Sequence, residues 1–148
     1  MGEKIDGTQH LRLRPAKAGN AAFIYRVSEA CMKPYAEQTW GLWDGEADID
    51  PARDEIISHL GWDIGVMRVD RLPDHWFLAK LYLLPPFQGD GLESRLLERL
   101  IADAATVRLP LRLTVLEVDP ARRFYERHGF VVTKTVPPRH HMEMARRA

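Results

Sequence analysis

The chain has 148 residues, 45% of them hydrophobic, which fits one globular domain around one core. Lysine plus arginine equals aspartate plus glutamate at 21 each, so no basic excess argues for nucleic acid or an anionic membrane, and no acidic excess for a cationic partner. Cys31 has no second cysteine to pair with; it excludes an internal disulfide, suits a reducing cytosol, and is expected to be a buried core thiol rather than a nucleophile.

Residues 1–9 read as an N-terminal tail and residues 10–148 as one domain. The first seven residues lack the apolar run of a signal peptide, and Asp6 breaks the Ser/Thr requirement for myristoylation. No segment approaches the ~20 apolar residues of a membrane span, so a soluble cytoplasmic protein is expected. Residues 10–14 alternate apolar and polar as a short strand does, and Pro15 closes it. Asn20 then caps a helix with the apolar set Ala21, Ala22, Ile24, Tyr25, Val27 and Cys31, predicted to stop before Pro34. Residues 35–49, with Trp40-Gly41-Leu42-Trp43-Asp44-Gly45, read as short helical pieces and loop. Residues 54–60 stay open between two states: Asp50-Pro51 would start a helix well, whereas Ile56-Ile57 favours a strand.

Residues 64–72 and 76–84 read as two strands joined by the turn Leu72-Pro73-Asp74-His75. From Gly91 onward Leu92, Leu96, Leu97, Leu100, Ile101 and Ala104 form one stripe of a 3.6-residue period, which predicts a helix packed on a sheet. Leu111, Leu113, Val115 and Glu117 alternate with Arg112, Thr114 and Leu116 as a fifth strand. Asp119 is expected to cap the next helix, with Pro120 at its first position and Gly129 ending it. Residues 131–136 and 139–144 remain for a closing antiparallel pair.

The junction between the fourth strand and its helix carries chemistry. A strand that stops at Pro85-Pro86-Phe87 and turns through Gln88-Gly89-Asp90-Gly91 lets the chain approach a ligand closely, and the unpaired N–H groups of the new helix supply donors and a positive dipole. A pyrophosphate fits such a place. The competing account is an ordinary turn that needs glycine for positive φ. Neither a dinucleotide glycine fingerprint nor a Walker lysine is present, which excludes the Rossmann and P-loop readings.

Two stretches together resemble the GNAT (Gcn5-related) N-acetyltransferases. The first, Gln88-Gly89-Asp90-Gly91-Leu92-Glu93, follows the pattern of Gln or Arg, two variable positions, Gly, one variable position, and Gly or Ala, except at its last place. The second, Pro120-Ala121-Arg122-Arg123-Phe124-Tyr125-Glu126-Arg127-His128-Gly129-Phe130, matches the later motif, with Asp119 where Asn is usual. The resemblance implies an α/β (α+β) fold, a central mixed, mostly antiparallel sheet of six to seven strands flanked by helices, and tips residues 54–60 toward strand. It implies acetyl-CoA as co-substrate, no metal, and acetyl transfer to a primary amine of a small molecule or peptide by direct attack. The alternative is a GNAT-like domain that binds CoA or another ligand with weak or no catalysis, or acts as an interaction module.

By the same resemblance, cofactor contacts fall to Leu81, Tyr82, Leu83, Gln88, Gly89, Asp90, Gly91, Leu92, Glu93, Ser94, Asp119, Arg122 and Tyr125. The main-chain N–H of Leu81, with that of Leu83, faces the developing oxyanion, and Tyr125 protonates the leaving thiolate, its phenol titrating ordinarily near ~10. Phe124 then suits the core and Tyr125 the cofactor side. Residues 76–80 offer no carboxylate as general base; water serves, with His75, Tyr82, His140 and Asp70 as conceivable participants. The acceptor site is expected at Tyr35, Trp40, Trp43 and His140, with Glu37 or Asp44 attracting an ammonium; alternatively the tryptophans close the core over the sheet edge. His140 and His141 face opposite sides of a strand, a poor metal site. Family habit implies a homodimer through the last strands. Glu93 and Asp90 stand where a diphosphate would sit, and one carboxylate at ~4 Å weakens its binding by ~5- to 1000-fold according to the local dielectric.

Overall fold

The computed structural model describes residues 10–145, and the tail expected at residues 1–9 lies outside them. Among the described residues, seven strands form one sheet: β1 Leu11–Pro15, β2 Glu55–His59, β3 Trp62–Arg71, β4 Trp76–Leu83, β5 Leu111–Leu116, β6 Phe130–Val136 and β7 Arg139–Met144. Their order is β1-β2-β3-β4-β5-β7-β6. Every neighbouring pair is antiparallel except β4 with β5. Three α-helices flank it: α1 Ala21–Trp40, α2 Leu92–Thr106 and α3 Ala121–Arg127. The architecture is the mixed, mostly antiparallel sheet expected.

The predicted stripe of α2 buries Leu92, Leu96, Leu97, Leu100 and Ala104 against Met67, Leu81, Leu83 and Leu113. At ~1.5–3 kcal/mol for each fully buried large aliphatic side chain, this face alone holds the helix down. On α1, Ile24 and Val27 bury in a second cluster with Ile56 and Val66, against which Tyr82 packs.

Two helices differ from their sequence-based expectation, and one open segment resolves as the resemblance implied. Helix α1 does not stop before Pro34 but carries it inside and runs to Trp40. Proline there removes one hydrogen bond at a cost of ~3 kcal/mol; the continuation buries Ala36, and the stop is Gly41, whose left-handed φ of 77° lets its N–H bond to Glu37 O at 2.8 Å. Residues 55–59 form β2, the strand toward which the resemblance tipped residues 54–60, and Asp50 accepts the Ala52 N–H in the turn before it. Helix α3 begins at Ala121, so Pro120 lies just outside it, while Asp119 still accepts the Ala121 N–H at 2.8 Å as a cap does.

One irregularity positions the site. Arg68 pairs with Lys80 and Val69 with Leu78, leaving Ala79 as a bulge in β4. The extra residue reverses the alternation: Leu78 falls into the α2-side core, while Lys80, two residues on, turns with Tyr82 toward α1.

Candidate active site

β4 and β5 pair only at Trp76 with Leu111 and Phe77 with Arg112, and then part. The Leu84 N–H donates to Ile64 O at 2.8 Å. Alternation back along the regular β3–β4 register turns the N–H groups of Tyr82 and Lys80 toward β3 and directs those of Leu81 and Leu83 into the gap. A cleft of about 1330 Å³ opens there, walled by α1, the loop after it, and the starts of α2 and α3.

On one side of the cleft the chain offers main-chain groups. Gly89 and Gly91 have φ of 84° and 83°, and Gly91 is the N-cap of α2. A Cβ at either would meet nothing within 4 Å, so backbone conformation rather than crowding requires glycine. The same conformation leaves the helix start bare toward the cleft, so the turn and anion-site accounts are compatible. Gln88 Nε2 donates to Leu83 O at 2.8 Å, and the Cys31 thiol donates to that carbonyl at 3.1 Å. Ser94 Oγ lies 3.0 Å from His128 Nε2, tying α2 to α3.

Glu93 and Asp119 also line this side. Burial raises both carboxyls above their ordinary range, with the Ala121 N–H partly offsetting it at Asp119. Tyr125 is buried and meets Phe124 and Phe130 edge-on. Burial first, then Asp119 and Glu93, push its phenol above the ordinary value. The expected division of Phe124 to core and Tyr125 to cofactor side is not what forms. Both rings line the cleft and Tyr125 is the more buried, because a seven-residue helix at the cleft edge turns both of its rings, ~100° apart, toward the hollow.

Of the residues singled out from the sequence, Leu81, Tyr82, Leu83, Gln88, Gly89, Gly91, Glu93, Ser94, Asp119, Tyr125, Tyr35, Trp40, Trp43 and Asp44 come together around this cleft. Four site residues stand outside its lining. Asp90 points to solvent, and the Leu92 side chain belongs to the core beneath α2. Arg122 lies beside Glu126 at 3.5 Å and His140 Nε2 at 3.4 Å, and Thr135 Oγ1 occupies the other nitrogen of His140 at 2.8 Å. Glu37 does not line it either. Asp70 pairs with Arg53 at 2.7 Å and His75 with Asp74 at 2.8 Å, both away from the cleft.

Cys31 is half-buried on the cleft wall rather than in the core. Burial, then Glu93 and Asp119, push its thiol up to about 12, so it stays protonated at neutral pH and is no nucleophile. Nearby, the Arg139 guanidinium lies 5.2 Å above the Trp40 ring, joining the end of α1 to the start of β7.

A charged cluster completes the other side. Arg68 and Lys80 are buried. Asp54 accepts from Arg68 Nε at 2.6 Å and Nη2 at 3.2 Å. Asp48 accepts from Arg68 Nη1 at 2.8 Å, and its main-chain oxygen accepts from Arg68 Nη2 at 3.0 Å and Lys80 Nζ at 2.8 Å. Burial lowers the Lys80 amine below its ordinary value against the opposing pull of Asp54 and Asp48. The signal available in the sequence was Lys80 as the single charge of β4 and Arg68 between the apolar Met67 and Val69 of β3, since a buried charge must find an anion. Nothing in the pattern says which one. Among the described residues no group of His, Cys, Asp and Glu could hold a metal ion, and no helix is long and apolar enough to cross a membrane.

A family model described as an acetyltransferase (GNAT) domain matches residues 47–132. Among solved structures, PaiA N-acetyltransferase from Thermoplasma acidophilum in complex with coenzyme A is similar at 15% identity and a TM-score of 0.75, over 92% of this chain and 99% of that one. An acetyltransferase from Thermus thermophilus is similar at 22% identity and 0.71, over 93% and 97%. Arabidopsis thaliana Naa50, in complex with the bisubstrate analogue CoA-Ac-MVNAL, is similar at 16% identity and 0.63, over 90% and 97%. At these identities the likenesses show a shared fold. Among curated proteins no sequence matches the chain.

Proposed function

The chain belongs to the GNAT acetyltransferase family, and from that premise we propose that it moves an acetyl group from acetyl-CoA to a primary amine of a small molecule or peptide by direct attack in a ternary complex. Residues 10–148 act in this reading as one catalytic domain in the cytoplasm. The observation that carries it is the parting of β4 from β5, which directs the Leu81 and Leu83 N–H groups into a cleft that also holds Tyr125 and the bare start of α2. Structures of similar fold that carry coenzyme A or a CoA–peptide analogue support the choice of ligand and acceptor class.

Acetyl-CoA supplies the thioester. Amides of the Gly89–Gly91 loop and the α2 start receive the diphosphate, and the Leu81 N–H receives the charge that grows on the carbonyl oxygen as the C–N bond forms. Tyr125 gives its proton to the sulfur as the C–S bond breaks. Its surroundings keep the phenol protonated at neutral pH.

One feature favours a second reading, binding without turnover: the carboxyls of Glu93 and Asp119 crowd the mouth where an anion must enter. Two measurements separate the readings. Acetyl-CoA at 100 times its Kd should stabilise the fold by ~2.7 kcal/mol in a thermal-shift assay. Thiol release with a panel of primary amines supports the transferase, and stabilisation without release supports the binder.

A further inference from the structure

Arg68 and Lys80 lie directly opposite each other on β3 and β4, with side chains 3% and 2% exposed. Like charges side by side in a sheet repel, and buried ones require anions close at hand. Two carboxylates answer them, and the two are unlike. Asp54 has no exposed side-chain surface and is used up inside the cluster. Asp48 touches both cations, Arg68 Nη1 at 2.8 Å and Lys80 Nζ at 3.3 Å, yet its side chain is 66% exposed and lines the cleft. Its main-chain oxygen is held by the same two cations. The result is a carboxylate with a fixed back and an open front.

Two side chains with unpartnered polar atoms line the same cleft. The loop that carries Trp43 and Asp48 lies along α1, with the Trp43 ring 6.4 Å from that of Tyr25. Ser28 of α1, 5% exposed, lines the same cleft, and neither its Oγ nor the buried Trp43 Nε1 has a hydrogen-bond partner among the described residues. Buried polar atoms are rarely left unpaired, so these two mark an incompletely satisfied polar wall. Glu93 and Asp119 stand instead at the starts of α2 and α3, on the diphosphate side. Asp44 also lines the cleft, but among the described residues no cation pairs with it as Arg68 and Lys80 do with Asp48. Tyr82 and Tyr125 line the same cleft, and the Tyr82 phenol, raised mainly by burial, is raised further by Tyr125 and by Asp48.

Resting on the transferase reading above, we propose that Asp48 binds the protonated acceptor amine and removes its proton before attack. The ammonium gives one proton to the Asp48 carboxylate, which passes it to solvent through its exposed edge. The freed lone pair forms the C–N bond as the C–S bond breaks. Nitrogen loses its second proton to solvent as the amide forms, and the Tyr125 phenolate, having given its proton to sulfur, takes one back from solvent, so one proton is released per turnover.

The test is Asp48→Asn, which keeps the main-chain contacts to Arg68 and Lys80, assayed by thiol release with a primary amine that the wild type acetylates. At neutral pH, kcat/KM should fall by ~10²-fold or more. The deficit should shrink as pH rises toward the amine's own pKa, because a free base needs no proton acceptor. Stabilisation by acetyl-CoA should match the wild type. Asp48→Glu retains the charge opposite both cations; it should fold even where the Asn variant does not, and show a smaller fall in kcat/KM. A deficit equal at every pH, or none, overturns the assignment while leaving the transferase standing. A wild type stabilised by acetyl-CoA that releases no thiol with any amine overturns the transferase reading, and this proposal with it.

Discussion

The two ends of the cleft are made of different materials. The end proposed for the diphosphate consists of main-chain groups from one continuous stretch, the end of β4, the Gly89–Gly91 loop and the start of α2. The end proposed for the acceptor consists of side chains brought by α1, the loop after it, and the middle of β3 and β4. A main-chain site needs only its local conformation, so single substitutions change its electrostatics without dismantling it. A side-chain site built on buried charge depends on every partner at once. Removing one member there should cost the fold most, whereas removing one carboxyl at the other end should change affinity at a smaller cost in stability.

The largest expected effect lies where the two ends meet. Tyr125→Phe should lower kcat by ~10²- to 10⁴-fold with little change in acetyl-CoA affinity; unaltered turnover would remove the phenol from the chemistry. Next comes Asp54→Ala, which leaves Arg68 and Lys80 buried with only the half-solvated Asp48 between them. Breaking such a pair costs ~3–5 kcal/mol, to be read from urea unfolding. If the loss were below ~1 kcal/mol, the acceptor end would be as tolerant as the other and the contrast would fail.

The same contrast explains what could be read from the chain. Gly91 and the stripe from Leu92 to Ala104 are local signals, and so are the Asp119 cap and Gly129; the elements of the diphosphate end follow from them within a residue or two. Pro34 is a local signal as well, yet tertiary burial of Ala36 overrode it and lengthened α1. The bulge at Ala79 leaves no composition mark, and it alone turns Lys80 away from the side of Leu78. Asp48 and Asp54 look like any polar loop residues until β3 and β4 bring two cations beneath them. Arg122 and His140 failed to reach the cleft for a comparable reason, since each found a partner on the neighbouring element first.

A smaller effect is expected from Glu93→Gly. The substitution takes one carboxyl from the mouth of the diphosphate end, and acetyl-CoA should bind at least ~5-fold more tightly by calorimetry. The helix start should weaken by ~1 kcal/mol through lost propensity, and by a further ~0.3–1 kcal/mol through the lost negative charge at its positive end. Tighter binding with lower stability is the signature of a side chain that serves the apo fold against the ligand. No gain in affinity would mean that Glu93 turns into solvent when the ligand arrives.

The smallest effect is a slope. Burial raises the Glu93 carboxyl above the ordinary glutamate value of ~4.3, so the folded state holds its proton more tightly than the unfolded chain does. Between the unfolded and folded values the native state carries more protons, and its stability therefore falls as pH rises through that window. Glu93→Gln cancels this contribution, so the variant should gain on the wild type as pH increases across the window and keep a constant lead above it. Diphosphate binding moves in the same direction, because the carboxylate ionises against an anion. Wild-type affinity for acetyl-CoA should decline with pH more steeply than that of the Gln variant, by no more than tenfold per pH unit for one proton. Asp119, raised by burial as well, and the ligand's own phosphates titrate in both proteins, so they drop out of the difference. Parallel slopes would place the Glu93 charge outside the reach of the diphosphate, and the anionic character of this end would then rest on Asp119 alone.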